Sequence, residues 1–144
     1  MKVTYPVIFT EVDTNILIEV PDLRILTEAN EEGKEKGTMA DAIMMARDAI
    51  GLKCISAEDA GEPITKPSDV FDIQAEDGAF AEAGRGIVTL VDVDLQEYRR
   101  MNDNKTVRRN VTLPNWLDFQ AEKAGINVSR VLQEALISKL GVSK

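Results

Sequence analysis

An alternating run closed by proline, Val107-Arg-Arg-Asn-Val-Thr-Leu113 followed by Pro114, constrains this chain more than any other feature. Val107, Val111 and Leu113 fall on one face of a period-two strand, whereas Arg108, Asn110 and Thr112 fall on the other. Arg, Asn and Thr are among the side chains that read base edges in the DNA major groove, which admits a two-stranded β-ribbon. One such strand supplies half a ribbon, so a second copy of the chain has to supply the rest.

The residues that follow agree with this requirement. Pro114 stands near the first position of a predicted helix whose stripe Leu117, Ala121, Ala124 stops at Gly125. Either Asn127 or Ser129 caps a second helix, with Val131, Leu132, Ala135, Leu136 and Leu140 on its inner face and Gly141 after its end. A strand and two helices this short cannot bury their apolar faces alone, and two copies wrapped together can.

Charge sets this tail apart. The overall net charge is −8, but residues 1–98 carry 8 Lys+Arg against 21 Asp+Glu, and residues 99–144 carry 9 against 4. An acidic body repels nucleic acid and attracts a basic partner, or serves only solubility; a basic tail does the reverse of repelling nucleic acid. The polar stretch 102–105 reads as a linker, which divides the chain into a body over 1–101 and a tail over 106–144. Arg99, Arg100 and Lys105 either contact phosphates or solvate that linker.

In the body, Val3, Tyr5, Val7 and Phe9 alternate as a first strand, and Pro6 suggests an edge or a bulge there. Ile16 to Val20 reads as a second strand and Leu23 to Thr27 as a third. Thr38 with Asp41 has the form of a capping box, after which Met39, Ile43, Ala46 and Ile50 recur at helical spacing. Met44 and Met45 fall at the edge of that stripe, and Gly51 either ends the helix or is tolerated within it. Gln74 to Gly86 is rich in Ala, Gly and acids, and poor order is expected there. The β-branched run Ile87 to Val93 suits a strand buried on both faces, and Asp94 with Glu97 starts a short helix through Met101.

The chain lacks His and has a single Cys, Cys54, which removes disulfides, His-ligated zinc and His-based catalysis. No cofactor or metal is expected. Of the acids that metal-dependent phosphodiester chemistry would need, Asp13, Glu19, Asp92 and Asp94 are the candidates, and solvated or capping roles suit them better. The opening stretch has no long apolar run before its first acid, so neither a signal peptide nor a membrane span is expected, and a reducing cytoplasmic setting fits.

Two resemblances now apply. Residues 107–136, with Leu-Pro-x-x-Leu-x-x-x-Ala-x-x-Ala-Gly-Ile followed by Ser129-Arg-Val-Leu-Gln-Glu-Ala-Leu136, resemble the ribbon-helix-helix family of DNA-binding repressors. That resemblance implies Arg108, Asn110 and Thr112 as base readers and the amides near Val128 and Ser129 as a phosphate clamp. A helix start binds anions in any case, through free amides and dipole. The body, through Tyr5-Pro-Val-Ile-Phe9, Pro21-Asp-Leu23, the helix from Ala40 to Ile50 and Gly61-Glu-Pro-Ile-Thr-Lys-Pro-Ser68, is similar to the HicB antitoxins. Arg24-Ile-Leu26 departs from that family's usual continuation after Pro-Asp-Leu, and residues 28–37 are long and charged for it.

The resemblance implies an α+β chain: a partial ribonuclease-H-like βββαβ body and a dimeric C-terminal ribbon-helix-helix. It implies a non-enzymatic antitoxin that occludes a HicA-like small basic ribonuclease toxin, and a homodimer that binds operator double-stranded DNA to repress its operon, alone or in a higher assembly with the toxin. Glu28, Glu31, Glu32 and Glu35 are the candidates for the toxin contact. The competing readings are a ligand-sensing ribbon-helix-helix repressor without a toxin partner and a nucleic-acid hydrolase.

Overall fold

The structure is a computed structural model that describes residues 1–30 and 35–142, and it divides into two compact units, Met1–Asn104 and Lys105–Lys144. In the first unit, β1 (Lys2–Glu11), β2 (Ile16–Val20), β3 (Ile25–Glu28) and β4 (Arg85–Asp94) form one sheet in the order β3-β2-β1-β4. All three pairings are antiparallel. Leu23 belongs to a 3₁₀ turn, Pro21–Leu23, and not to β3, because proline and the left-handed Arg24 bend the chain before the ladder resumes. The meander is pinned by buried Asn15. Its amide donates to the Asn30 carbonyl (2.8 Å) and to Glu28 Oε2 (3.1 Å), while its oxygen accepts from the amides of Ile16 and Asn30. A buried side-chain amide with every group engaged costs far less than one left unpaired.

The helix α1 (Met39–Asp59) starts at the capping box: Asp41 N donates to Thr38 Oγ1, and Thr38 N donates to Asp41 Oδ2 at 2.8 Å. Backbone and hydroxyl donors from Thr38 hold the Asp41 carboxyl below its ordinary range. Its buried stripe is Ala42, Ala46, Ile50 and Cys54, in strict i, i+4 succession. Met39 is exposed at the helix mouth, Met44 faces solvent, and Met45 packs against the core. The stripe lies on Tyr5, Val7, Phe9, Ile18, Val20, Val91 and Val93, the centre of the core. Fully burying each large aliphatic or aromatic side chain there contributes about 1.5–3 kcal/mol. The Tyr5 hydroxyl donates to the Thr65 carbonyl, and burial pushes its pKa up.

The helix continues through Gly51 to Asp59, and the glycine is used by α2 (Leu95–Asn102), whose Tyr98 ring rests on it. Asp94 caps α2 by accepting from the amides of Gln96 and Glu97. The Tyr98 hydroxyl donates to Asp48 Oδ1 at 2.9 Å; burial first and then this acceptor raise its pKa to about 12.

Two further expectations are corrected in this unit. β4 is not buried along both faces: Val91 and Val93 are buried under α1, but Ile87, on the same face nearer the start of the strand, and Leu90, on the other face, are exposed; β4 pairs only with β1 and ends the sheet. The segment after Gln74 is not poorly ordered. Ala75–Asp77 forms a 3₁₀ turn, further turns close at Ala81 and Ala83, and Ala79 N donates to Glu19 Oε2 at 2.8 Å. This segment covers the sheet face opposite α1: a Cβ on Gly78 would stand 3.0 Å from Ile8 Cδ1, and one on Gly86 would stand 2.9 Å from Ala75 Cβ. Ile8 and Thr10 are buried for that reason. Pro6 is tolerated inside β1 because β2 pairs only with Ile8–Glu11, leaving the first half of β1 without a neighbour on that side.

The second unit consists of α3 (Asn115–Lys123) and α4 (Val128–Leu140), preceded by residues 105–114, which carry no regular structure. Pro114 caps α3, and Gly125, in the left-handed region at φ 68°, turns the chain. Asn127, not Ser129, caps α4 by accepting from Arg130 N at 3.1 Å. Gly141 ends α4 with the Val142 amide reaching back to the Ile137 carbonyl, a left-handed glycine closure. The expected strand Val107–Leu113 is not formed in the single chain. A strand needs a ladder partner for its amides and carbonyls, and none of the described residues supplies one.

Candidate functional site

Two surfaces carry the candidate residues. In the second unit Arg108, Asn110 and Thr112 are all exposed, as is Arg109 between them. Val128 and Ser129 open α4, where the first amides have no intrahelical acceptor, and Asn127 takes up the amide of Arg130. Arg130 pairs one turn on with Glu134 at 3.2 Å. An exposed i, i+4 pair of this kind adds a few tenths of a kcal/mol, about 0.3–0.5.

The apolar side of this unit is as bare as the polar one. None of its described residues is buried. Val107 is 87% exposed, and Leu132, Leu136 and Leu140, spaced along one face of α4, are exposed as well. Trp116, Phe119, Gln120, Lys123 and Ala124 line an open hollow of about 430 Å³ along α3. A contiguous apolar face on a folded unit marks a surface that another molecule covers.

Of the four candidate glutamates of the first unit, the two described ones, Glu28 and Glu35, have different settings. Glu28 is half-buried and accepts from Asn15, so it braces the β2–β3 meander. Glu35 is exposed, and its carbonyl accepts from Asn30 Nδ2 at 2.7 Å. Glu31 and Glu32 lie outside the described residues.

Three of the four acids considered for metal chemistry have structural work. Glu19 holds the Ala79 amide, Asp92 pairs with Arg47 at 3.1 Å, and Asp94 caps α2. Among the described residues no three His, Cys, Asp or Glu side chains converge on a common point. Cys54 is buried beside Tyr5, and burial first raises its thiol pKa, the protonation state of an inert core thiol.

Of the basic residues near the unit boundary, Arg99 is engaged within the first unit. Its Nη2 sits 2.9 Å from both Glu58 Oε2 and Asp59 Oδ1 at the end of α1. These carboxylates hold the guanidinium above its ordinary pKa.

Sequence reasoning passed over Phe71, which is 85% exposed on a 3₁₀ turn, Val70–Asp72, that packs on β4. A phenylalanine between Asp69 and Asp72 in a stretch without Lys or Arg was the signal available.

Against known proteins, residues 5–136 match the family described as HicB-like antitoxin of bacterial toxin-antitoxin system. Two solved structures are similar to the chain, and the first shares its fold. A chain of a toxin-antitoxin complex from Streptococcus pneumoniae is 22% identical, with 96% of this chain and 99% of that one covered and a TM-score of 0.57. The antitoxin HicB of Burkholderia pseudomallei is 23% identical, with 96% and 98% covered and a TM-score of 0.49. No curated protein sequence matches the chain. No helix among the described residues is long and apolar enough to cross a membrane.

Proposed function

Because the chain belongs to the HicB-like antitoxins of bacterial toxin-antitoxin systems, we propose that its first unit binds and occludes a HicA-like, small basic mRNA-cleaving toxin, while its second unit represses the operon. We read the βββαβ order of the first unit as a partial ribonuclease-H-like body without catalytic duty. Occlusion by an acidic body requires only complementary charge and shape, and residues 1–98 supply 21 acids against 8 bases.

The regulatory half is carried by one observation: the second unit is folded yet has no buried residue among those described. Two copies that pair residues 107–113 antiparallel bury Val107, Val111 and Leu113 against the helices of both chains. Arg108, Asn110 and Thr112 then face outward as a six-residue reading surface on a ribbon sized for the major groove. The starts of the two α4 helices, at Val128 and Ser129, each meet a backbone phosphate. The protein works in the cytoplasm, as a homodimer or as a larger assembly with toxin.

Co-expression with the product of the neighbouring gene, followed by native mass measurement, tests both halves. The expected result is a complex containing an even number of antitoxin chains, and a short palindromic duplex bound with an affinity that falls steeply with salt. A monomeric antitoxin overturns the ribbon, and failure to retain the toxin overturns the antitoxin reading.

A further inference from the structure

We propose that the outer edge of β4, with Phe71 beside it, is the surface on which the first unit receives a strand from its basic protein partner. The proposal rests on the antitoxin reading and specifies where the partner is held.

β4 is the outermost strand and is hydrogen-bonded to β1 alone. Pro6 stands opposite Leu90, and proline has no amide to donate, so this is a non-hydrogen-bonded pair of the ladder. Alternation along an antiparallel ladder then turns the amides and carbonyls of Gly86, Val88 and Leu90 away from β1. Among the described residues no backbone group closes that side. At the far end Arg47 covers the edge: its Nε donates to the Asp92 carbonyl at 3.2 Å and its Nη2 to Asp92 Oδ1 at 3.1 Å. Long edges are normally blunted by charge, proline or a bulge. Here the charge stands only at the ends, at Arg85, Asp92 and Asp94, and the stretch Gly86 to Val91 between them carries none.

Apolar anchors flank the open stretch. Leu90 is 51% exposed, and Phe71 projects from a turn that packs on the same strand. That turn is firmly set: Asp69 accepts the Phe71 amide at 2.9 Å, and Asp22 accepts both the amide and the hydroxyl of Ser68. Phe71 is therefore displayed by a fixed scaffold. Strand addition takes its affinity from main-chain hydrogen bonds and its selectivity from such side-chain anchors.

Charge decides between the two occupants an open edge can take. Residues 67–84 contain Asp69, Asp72, Glu76, Asp77 and Glu82 and no Lys or Arg. A second copy docking β4 against β4 brings two such acidic turns together, whereas a basic strand is drawn to them.

The test uses the full chain and the purified small basic toxin encoded beside it. Wild-type antitoxin binds, and the Val88 and Leu90 amides exchange more slowly with deuterium in the complex. Phe71→Asp, at a fully displayed position, raises Kd by about tenfold or more, as does Leu90→Lys. Leu26→Asp, on the opposite edge strand β3, leaves Kd unchanged. Should Leu90→Lys fail to fold, Phe71→Asp and the exchange of the wild type decide. Wild-type affinity in Phe71→Asp with unprotected Val88 and Leu90 overturns the docking surface while leaving the antitoxin reading intact. Loss of binding by the wild type overturns both. A fall in the mass of the toxin-free protein on Phe71→Asp assigns the edge to a second copy and overturns the basic partner.

Discussion

Gly51, midway along α1, lies directly beneath the ring of Tyr98 in α2: a Cβ on Gly51 would fall 2.6 Å from Tyr98 Cδ2 and 2.8 Å from Cγ. The near edge of the ring, not a flexible tip, makes the contact, so α2 cannot seat on α1 if the glycine gains a side chain.

Gly51→Ala is therefore expected to destabilise the first unit even though alanine favours a helix by about 1 kcal/mol. The overpacking cost of roughly 1–3 kcal/mol exceeds that gain. Urea unfolding should show a lower midpoint with an unchanged slope; a stabilised Gly51→Ala variant refutes the packing of α2 on this residue.

Thr10 offers the opposite case. Its hydroxyl is buried with no hydrogen-bond partner among the described residues, under the segment that packs around Ala75 and Gly86. An unpaired buried hydroxyl costs about 1–3 kcal/mol, so Thr10→Val, nearly the same shape, should raise stability by about 1 kcal/mol. Thermal unfolding of the two proteins side by side decides this.

Asp41 supplies a pH dependence. Its folded pKa lies below the ordinary 3.8 because Thr38 donates to the ionised carboxylate. A depressed carboxyl stabilises the folded state fully above its unfolded pKa, and that contribution is lost as pH falls from 3.8 through the folded value. Asp41→Asn should flatten this part of the acid-denaturation curve. Thr38→Ala removes the reciprocal cap and should cost about 1 kcal/mol at neutral pH, read by chemical denaturation.

The division of labour between the units is open to direct test. Arg108→Ala or Asn110→Ala should abolish specific binding to an operator duplex, with a loss of about 1–3 kcal/mol for each base contact. Inhibition of the toxin should survive, because these residues lie in the second unit and the acidic surface in the first. Loss of both activities in one such variant contradicts the separation.

Much of this organisation was legible wherever a short stretch of chain carries its own instructions. Thr38 with Asp41, Asp94 with the amides after it, Asn127, Gly125 and Gly141 each act within one helical turn of their own position, and each marks an element boundary in the structure. The strand Ile16–Val20 was readable in the same way, from an apolar run ended by Pro21-Asp22. β4 was recognisable as a strand, but its position at the sheet edge was not, since a β-branched run reads alike in the centre and at the rim.

The sequence by itself determined the capped helices, the strand segments of the body, the charge division and the incomplete core of the tail, because these depend on neighbours one or a few residues apart. Only the tertiary structure decided that Gly51 is a seat for Tyr98, that Arg99 is held by Glu58 and Asp59, and that residues 75–78 roof Ile8. It alone left β4 open beside Phe71. Those relationships join residues some 15 to 70 positions apart, and no local propensity records which of many distant partners a residue meets once the chain has closed around its core.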